Sequence, residues 1–141
     1  MATIIRNEVS KKNKWYIPKH EYLMLKHFCL LYPERKKEYL ELSRSGVANY
    51  ILDGMPKGTD VSDRTAAVAI RMAQIKEKLR IIEEAAEQAD PYISKFILKA
   101  VTDGYSFTYL KTVMEIPCER DYYYERYRRF FYILSHKIQR V

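Results

Sequence analysis

The chain has 141 residues, 48% of them hydrophobic, with 4 Gly, 5 Pro, 2 Cys and a formal net charge of +7. That length suits one domain, or one small domain with a helical extension, and so few glycines and prolines argue against a turn-rich sheet protein. No apolar run approaches the ~20 residues of a membrane helix, no signal peptide is evident, and two cysteines make no disulfide framework, so a cytoplasmic protein with no membrane partner is expected.

The charge is unevenly spread. Residues 1–37 carry nine basic and three acidic side chains, residues 38–90 seven and ten, and residues 91–141 nine and five. Basic ends therefore flank an acidic middle. Clustered Lys and Arg displace condensed counterions from a phosphate backbone, which makes nucleic acid the partner this asymmetry suits. Charge alone does not separate that reading from an ordinary solvated basic surface.

Residues 1–14, ending in Lys11-Lys12-Asn13-Lys14, have neither helical nor strand period and read as a flexible basic arm. Trp15-Tyr16-Ile17-Pro18 opens a first helix that runs to Leu31, with Pro18 in the first turn, where its missing N–H costs nothing. Tyr22, Leu25, Phe28 and Cys29 share the inner side. Trp15 reads as a plug sealing the helical core rather than as a stacking platform for a nucleotide. Tyr32-Pro33 interrupts the helix, and a second follows from Glu34 to about Asn49, with Tyr39, Leu42 and Val47 inward.

Asp53 to Asp63, with two glycines and a proline, reads as a loop, after which Ser62 or Asp63 caps a long helix to about Ala89. Its apolar residues Val68, Met72, Ile75, Leu79, Ile82, Ala86 and Ala89 alternate in spacings of four and three, a heptad seam. The helix would be roughly 40 Å long at about 1.5 Å per residue. Packing of the seam within the chain is favoured, above all in its N-terminal half.

Asp90-Pro91 restarts the chain for a helix through Val101 that buries Ile93, Phe96, Ile97 and Ala100, and Asp103-Gly104 stops it. Ser106 caps a short helix, Phe107 to Met114. Ile116-Pro117 marks a tight turn, and between Cys118 and Asp121 a last helix begins that extends toward Gln139. No strand is expected. The fold class is all-α: an N-terminal helical part, a long connecting helix and a C-terminal helix-turn-helix, divided as 1–14, 15–90 and 91–141.

In the last helix Tyr123, Tyr127, Phe130, Leu134 and Ile138 recur at helical spacing and face the preceding helices. Arg120, Tyr122, Arg126 and Arg129 then project from the other side. A capped short helix, a turn and an arginine-rich helix fit a helix-turn-helix, whose second helix enters the major groove. Glu119, Arg120 and Tyr122 are placed for base edges, and Arg126, Arg128 and Arg129 for the phosphate backbone. Ser106 and Lys111 on the short helix complete the candidate DNA-binding set. Two half-sites would add affinity, so a homodimer is a candidate assembly.

His20 and His27 stand two helical turns apart, roughly 10 Å, too far to share one zinc. His27 and Cys29 are expected to be partly buried, and no metal or cofactor is expected. No phosphate loop, nucleophile elbow or paired-carboxylate arrangement stands out, and Glu83, Glu84 and Glu87 read as a solvated face. An enzyme is not expected.

Gly104-x-Ser106-Phe107-x-x-Leu110, then Met114-x-Ile116-Pro117 and an arginine-rich helix, resembles the region-4 helix-turn-helix of sigma-70-type factors. With Ile116-Pro117-Cys118, Arg120, Tyr122 to Tyr124 and Arg128 to Phe131, the closer similarity is to phage-encoded transcription regulators of the ArpU or RinA kind. The loop Gly54-Met55-Pro56-Lys57-Gly58 with Ser62-Asp63 before a long helix is also similar to them. The match covers residues 104–134 well and 15–90 more loosely, and the turn after Pro117 is longer than in sigma region 4. The resemblance implies late-gene or prophage transcription control, with double-stranded DNA as partner and RNA polymerase as a second candidate. The rivals are a DNA-packaging recognition subunit of the small-terminase kind and an adaptor whose basic helix binds an acidic protein.

Overall fold

A computed structural model describes residues 13–53 and 58–139, with side chains described over 13–45 and 63–139. Six helices are present among the described residues: α1 (Lys19–Leu30), α2 (Tyr32–Asp53), α3 (Gly58–Ala89), α4 (Ser94–Asp103), α5 (Phe107–Thr112) and α6 (Arg120–Gln139). No strand joins them, so the chain is all-α as expected. No helix among these residues is long and apolar enough to cross a membrane. The basic arm up to Lys12 lies outside the described residues, as do Gly54 to Lys57 of the expected loop.

The chain forms two compact units, one from the residues up to Tyr32 together with Ile81 onward, the other from Pro33–Arg80. In the first, α1 packs on α4 and α6, and α4 packs on α5. Tyr22, Leu25 and Cys29 of α1 are buried at helical spacing, with Phe28 half-buried. His27, expected to be partly buried, is exposed: it lies two turns from His20 on the same outer stripe. Pro18 is not in the helix but caps it, with an extended φ of −61° and ψ of 152°. The plug beside it is Ile17, 3% exposed, while Trp15 is only half-buried.

One residue, Leu31, separates α1 from α2. Pro33 stands second in α2, where the absent N–H has no helical partner to lose, so the helix begins at Tyr32 rather than Glu34. Within this first unit, the Tyr32 hydroxyl donates to Glu83 Oε1 at 2.6 Å. Burial, then that carboxylate, push the tyrosine's pKa well up.

α4 starts at Ser94, three residues after Pro91, because Asp90 organises the intervening turn. Its Oδ1 accepts the Tyr92 N–H at 2.8 Å, a local side-chain bond that competes with helix. Ile93, Phe96, Ile97 and Ala100 are all buried as expected, and Val101 and Thr102 join them. Gly104 ends α4 in the left-handed conformation, φ 76°, with its N–H on the Ala100 carbonyl at 2.9 Å. A side chain there would be strained, since this region costs L-residues about 1–2 kcal/mol.

In the second unit, α2 extends to Asp53 rather than Asn49, and α3 starts at Gly58, so Ser62 and Asp63 lie inside a helix instead of capping it. Once a helix is nucleated, each added residue gains a backbone bond at little cost, and local loop preferences are overridden. Arg71 grips Glu38 with two bonds of 2.9 and 3.1 Å, tying α3 to α2. Both partners are half in water, so the pair contributes about 0.2–1 kcal/mol. Tyr39 and Leu42 are half-buried, and the Val47 side chain lies outside the described ones.

The heptad seam of α3 is present, but its burial runs opposite to expectation. Val68 and Met72 are half-buried, whereas Ile75, Leu79, Ile82, Ala86 and Ala89 are buried, with Ile81 and Ala85 beside them. From Ile81 on, α3 belongs to the unit with the large aromatic core. There small alanines let its backbone come close, and a broad apolar face replaces the narrow seam.

Candidate nucleic-acid interface

Ser106 caps α5 as its spacing suggested: extended itself, it accepts the Tyr109 N–H on its side chain at 3.2 Å. α5 ends at Thr112, two residues before the expected Met114. Val113 and Met114 both return their N–H groups to the Tyr109 carbonyl, at 2.9 and 3.4 Å. Glu115 then adopts φ 57°, a left-handed position rare outside glycine. Ile116 closes the turn, its N–H on the Leu110 carbonyl at 2.9 Å and its side chain 2% exposed.

The connection Val113–Glu119 thus takes seven residues, more than the about 3–4 of a compact helix-turn-helix. Lys111 braces it from α5. Its Nζ donates to the Cys118 carbonyl at 3.2 Å and lies 3.6 Å from Glu119 Oε1. Two of the candidate contact residues, Lys111 and Glu119, are therefore paired with each other. Burial pushes the Cys118 thiol up in pKa.

α6 packs against α1. Tyr123, Phe130, Phe131, Leu134 and Ser135 are buried on one side, and Tyr127 and Ile138 are half-buried beside them. Aromatic edges interlock there: Phe131 meets Tyr22 at 5.1 Å and Tyr127 at 4.9 Å, and the Tyr22 and Tyr127 hydroxyls are 3.1 Å apart. Burial raises the Tyr123 and Tyr127 pKa values far above the ordinary tyrosine range. The Ser135 hydroxyl donates to Glu21 of α1 at 2.5 Å, and Lys137 meets Glu84 of α3 at 3.2 Å. From Tyr123 through Ser135 no residue of α6 is exposed; its N-terminal tip, Arg120 to Tyr122, is.

Arg126 and Tyr122 do not simply project outward. Asp90, 7% exposed at the end of α3, accepts the Tyr122 hydroxyl, and Arg126 Nε lies 3.2 Å from its Oδ2. That last contact is an ion pair only, since the buried Nε has no hydrogen-bond partner. The guanidinium also covers the Tyr122 ring at 4.9 Å and reaches Glu125 at 3.3 Å. The hydrogen bond to Asp90 raises the Tyr122 pKa, and the one to Tyr122 raises that of Arg126. A buried carboxylate needs such partners, so both side chains are committed to holding α6 against the α3–α4 corner.

Arg129 is also engaged, 5.5 Å from the Trp15 ring centre. Trp15 donates its indole N–H to Glu125 Oε1 at 2.7 Å and sets its ring edge-on to Tyr132 at 5.2 Å. Arg120, at the exposed tip, lies over Tyr124 at 5.3 Å. Arg128 is half-buried, with no ion pair or hydrogen bond among the described residues. The tip and the turn before it are mixed in sign, Lys111 and Arg120 standing among Glu115, Glu119 and Asp121.

Sequence reasoning missed Asp90 and Trp15 as organisers of α6. Asp90 reads as a helix stop beside Pro91, and nothing local shows that its carboxylate meets residues 32 and 36 positions later. His20, His27 and Cys29 do not come together, and no three His, Cys, Asp or Glu groups among the described residues could hold a metal. Comparison with protein-family models, curated proteins and solved structures finds no match to this chain.

Proposed function

We propose that the protein is a sequence-specific DNA-binding transcription regulator of the phage or prophage type, related to the ArpU and RinA regulators, and not an enzyme. It presents the N-terminal end of α6 to the major groove of double-stranded DNA, with RNA polymerase and a second copy of the chain as further partners. One observation carries the reading: α6 is covered along its body and exposed at Arg120 to Tyr122, and a seven-residue connection leads to it from a capped short helix. The first turn of the second helix is the part of a helix-turn-helix that reaches base edges.

In this reading Arg120 donates to guanine acceptors and Glu119 accepts from a cytosine amine, while Tyr122, bonded to Asp90 and covered by Arg126, positions the first turn of α6. Lys111, Arg128 and Ser106 meet phosphates. Arg126 acts through Asp90, fixing the angle at which α6 leaves the α3–α4 corner.

The test is selection of bound sequences from a random duplex pool. A recurring motif is expected, and Arg120→Ala should relax it at one position by about 1–3 kcal/mol. The coverage of α6 favours a second reading, an adaptor for an acidic protein. Absence of any duplex binding at low salt would decide for it.

A further inference from the structure

We propose that Trp15 is a strap closed over the outward side of α6, and that duplex DNA must displace it to engage more than the helix tip. The inference rests on the DNA-binding reading above and concerns how that site is regulated.

Glu125, Arg129, Tyr132 and His136 recur at i, i+4, i+7 and i+11, so they share one stripe of α6. At about 100° per residue, that stripe lies opposite the face that buries Phe130, Phe131 and Leu134. It is the side a helix in a groove turns toward DNA. Trp15 occupies it with a hydrogen bond to Glu125 (2.7 Å), an edge contact with Tyr132 (5.2 Å) and its ring near the Arg129 guanidinium (5.5 Å). Tyr132 passes the contact on to His136, ring to ring at 4.5 Å. While this holds, the Arg129 guanidinium lies at the indole.

The attachment is built to open. The backbone bonds of the segment are local, with Trp15 and Tyr16 N–H both returning to Asn13 at 2.9 and 3.0 Å. Its tie to α6 runs through the half-buried indole. Ile17, 3% exposed, anchors the downstream end, so the segment can swing without disturbing the core. Lys14 lies 5.0 Å from the same indole. A phosphate backbone attracts Lys14 and Arg129 together, removing both cations from the ring at once. With the strap closed in most molecules, the apparent affinity falls by the open fraction.

Trp15 is the sole tryptophan, so it reports its own position. Full-length protein is titrated with a short labelled random-sequence duplex at low salt, following label anisotropy and indole emission together. Emission should shift to the red in parallel with binding, and Trp15→Ala should bind about tenfold tighter. Binding without an emission change overturns the strap. So does a Trp15→Ala protein that binds equally, and one that binds more weakly overturns it by making Trp15 part of the interface. If Trp15→Ala does not fold, the wild-type emission decides by itself. Failure of every form to bind the duplex rejects DNA binding, and the strap with it, and is distinct from the other outcomes.

Discussion

In the unit built on α6, rings and branched side chains from four helices are withdrawn from water: Tyr22, Ile82, Phe96, Ile97, Tyr123, Phe130 and Phe131 are each at most 6% exposed. In the Pro33–Arg80 unit, only Ile75 among the described side chains is so buried, with Leu79 at 9%, and Leu40 and Ile70 stay 48% and 60% exposed. Each fully buried large side chain contributes about 1.5–3 kcal/mol. Stability therefore resides in the aromatic unit, and the α2–α3 hairpin is the part expected to open first. The site proposed for DNA lies on the stable unit, where a rigid helix can hold its contacts in register.

The sharpest way to break this contrast is Phe130→Ala. Phe130 is fully buried, so its removal should cost about 3–5 kcal/mol and lower the melting temperature markedly. A melt like the wild type's would show the aromatic unit to be less decisive than described. Next is Leu79→Glu, which puts a charge at a position 9% exposed and should cost roughly 2–4 kcal/mol, whereas Ile70→Glu should change stability by about 0.5 kcal/mol or less. If Ile70→Glu instead turns a concentration-dependent melt into a concentration-independent one, the exposed side of the hairpin is a contact between copies.

Asp90→Ala removes the partner of both Tyr122 and Arg126. Arg126 keeps 27% of its side chain in water, so about 1–3 kcal/mol is expected rather than the full cost of breaking a buried pair. The loss should be read by hydrogen exchange at the start of α6, with the hairpin unaffected. The smallest effect is one of pH. Tyr123 and Tyr127 hold their protons in the folded state far above the unfolded value of 10.0. The stability they contribute is complete below pH 10 and is lost as pH rises beyond it, because the unfolded chain releases protons that the folded one keeps. Alkaline titration should weaken the aromatic unit before any effect on the hairpin; the reverse order would contradict the burial assigned to these rings.

Much of this was legible from local pattern. The 3.6-residue period placed the buried faces of α1, α4 and α6, and Ser106 and Gly104 marked a cap and a stop for reasons confined to a few residues. Ala89 and Phe107 were legible as the end of α3 and the start of α5, but both bounds of α2, the start of α3 and the end of α5 were not, because helix propagation and the left-handed Glu115 outweighed the loop residues that suggested other boundaries. For the candidate site, the tip at Arg120 follows from helix order, but the capture of Tyr122 and Arg126 by Asp90 and the closure of Trp15 on Glu125 do not. Those contacts join residues far apart in the chain and leave no periodic trace. Charge counting likewise treats Arg126 and Arg129 as available cations, when each already has a partner.

The most direct test of the central claim is the salt dependence of binding to a selected duplex, measured for the wild type and Arg120→Ala. Arg120 is exposed at the end of α6, so the substitution leaves the core intact. The account predicts that log K falls linearly with log salt. It also predicts that Arg120→Ala either loses about 1–3 kcal/mol of sequence preference or flattens the slope by about one unit. Identical affinity and slope for the two proteins, both folded, would remove the tip of α6 from the interface and contradict the account.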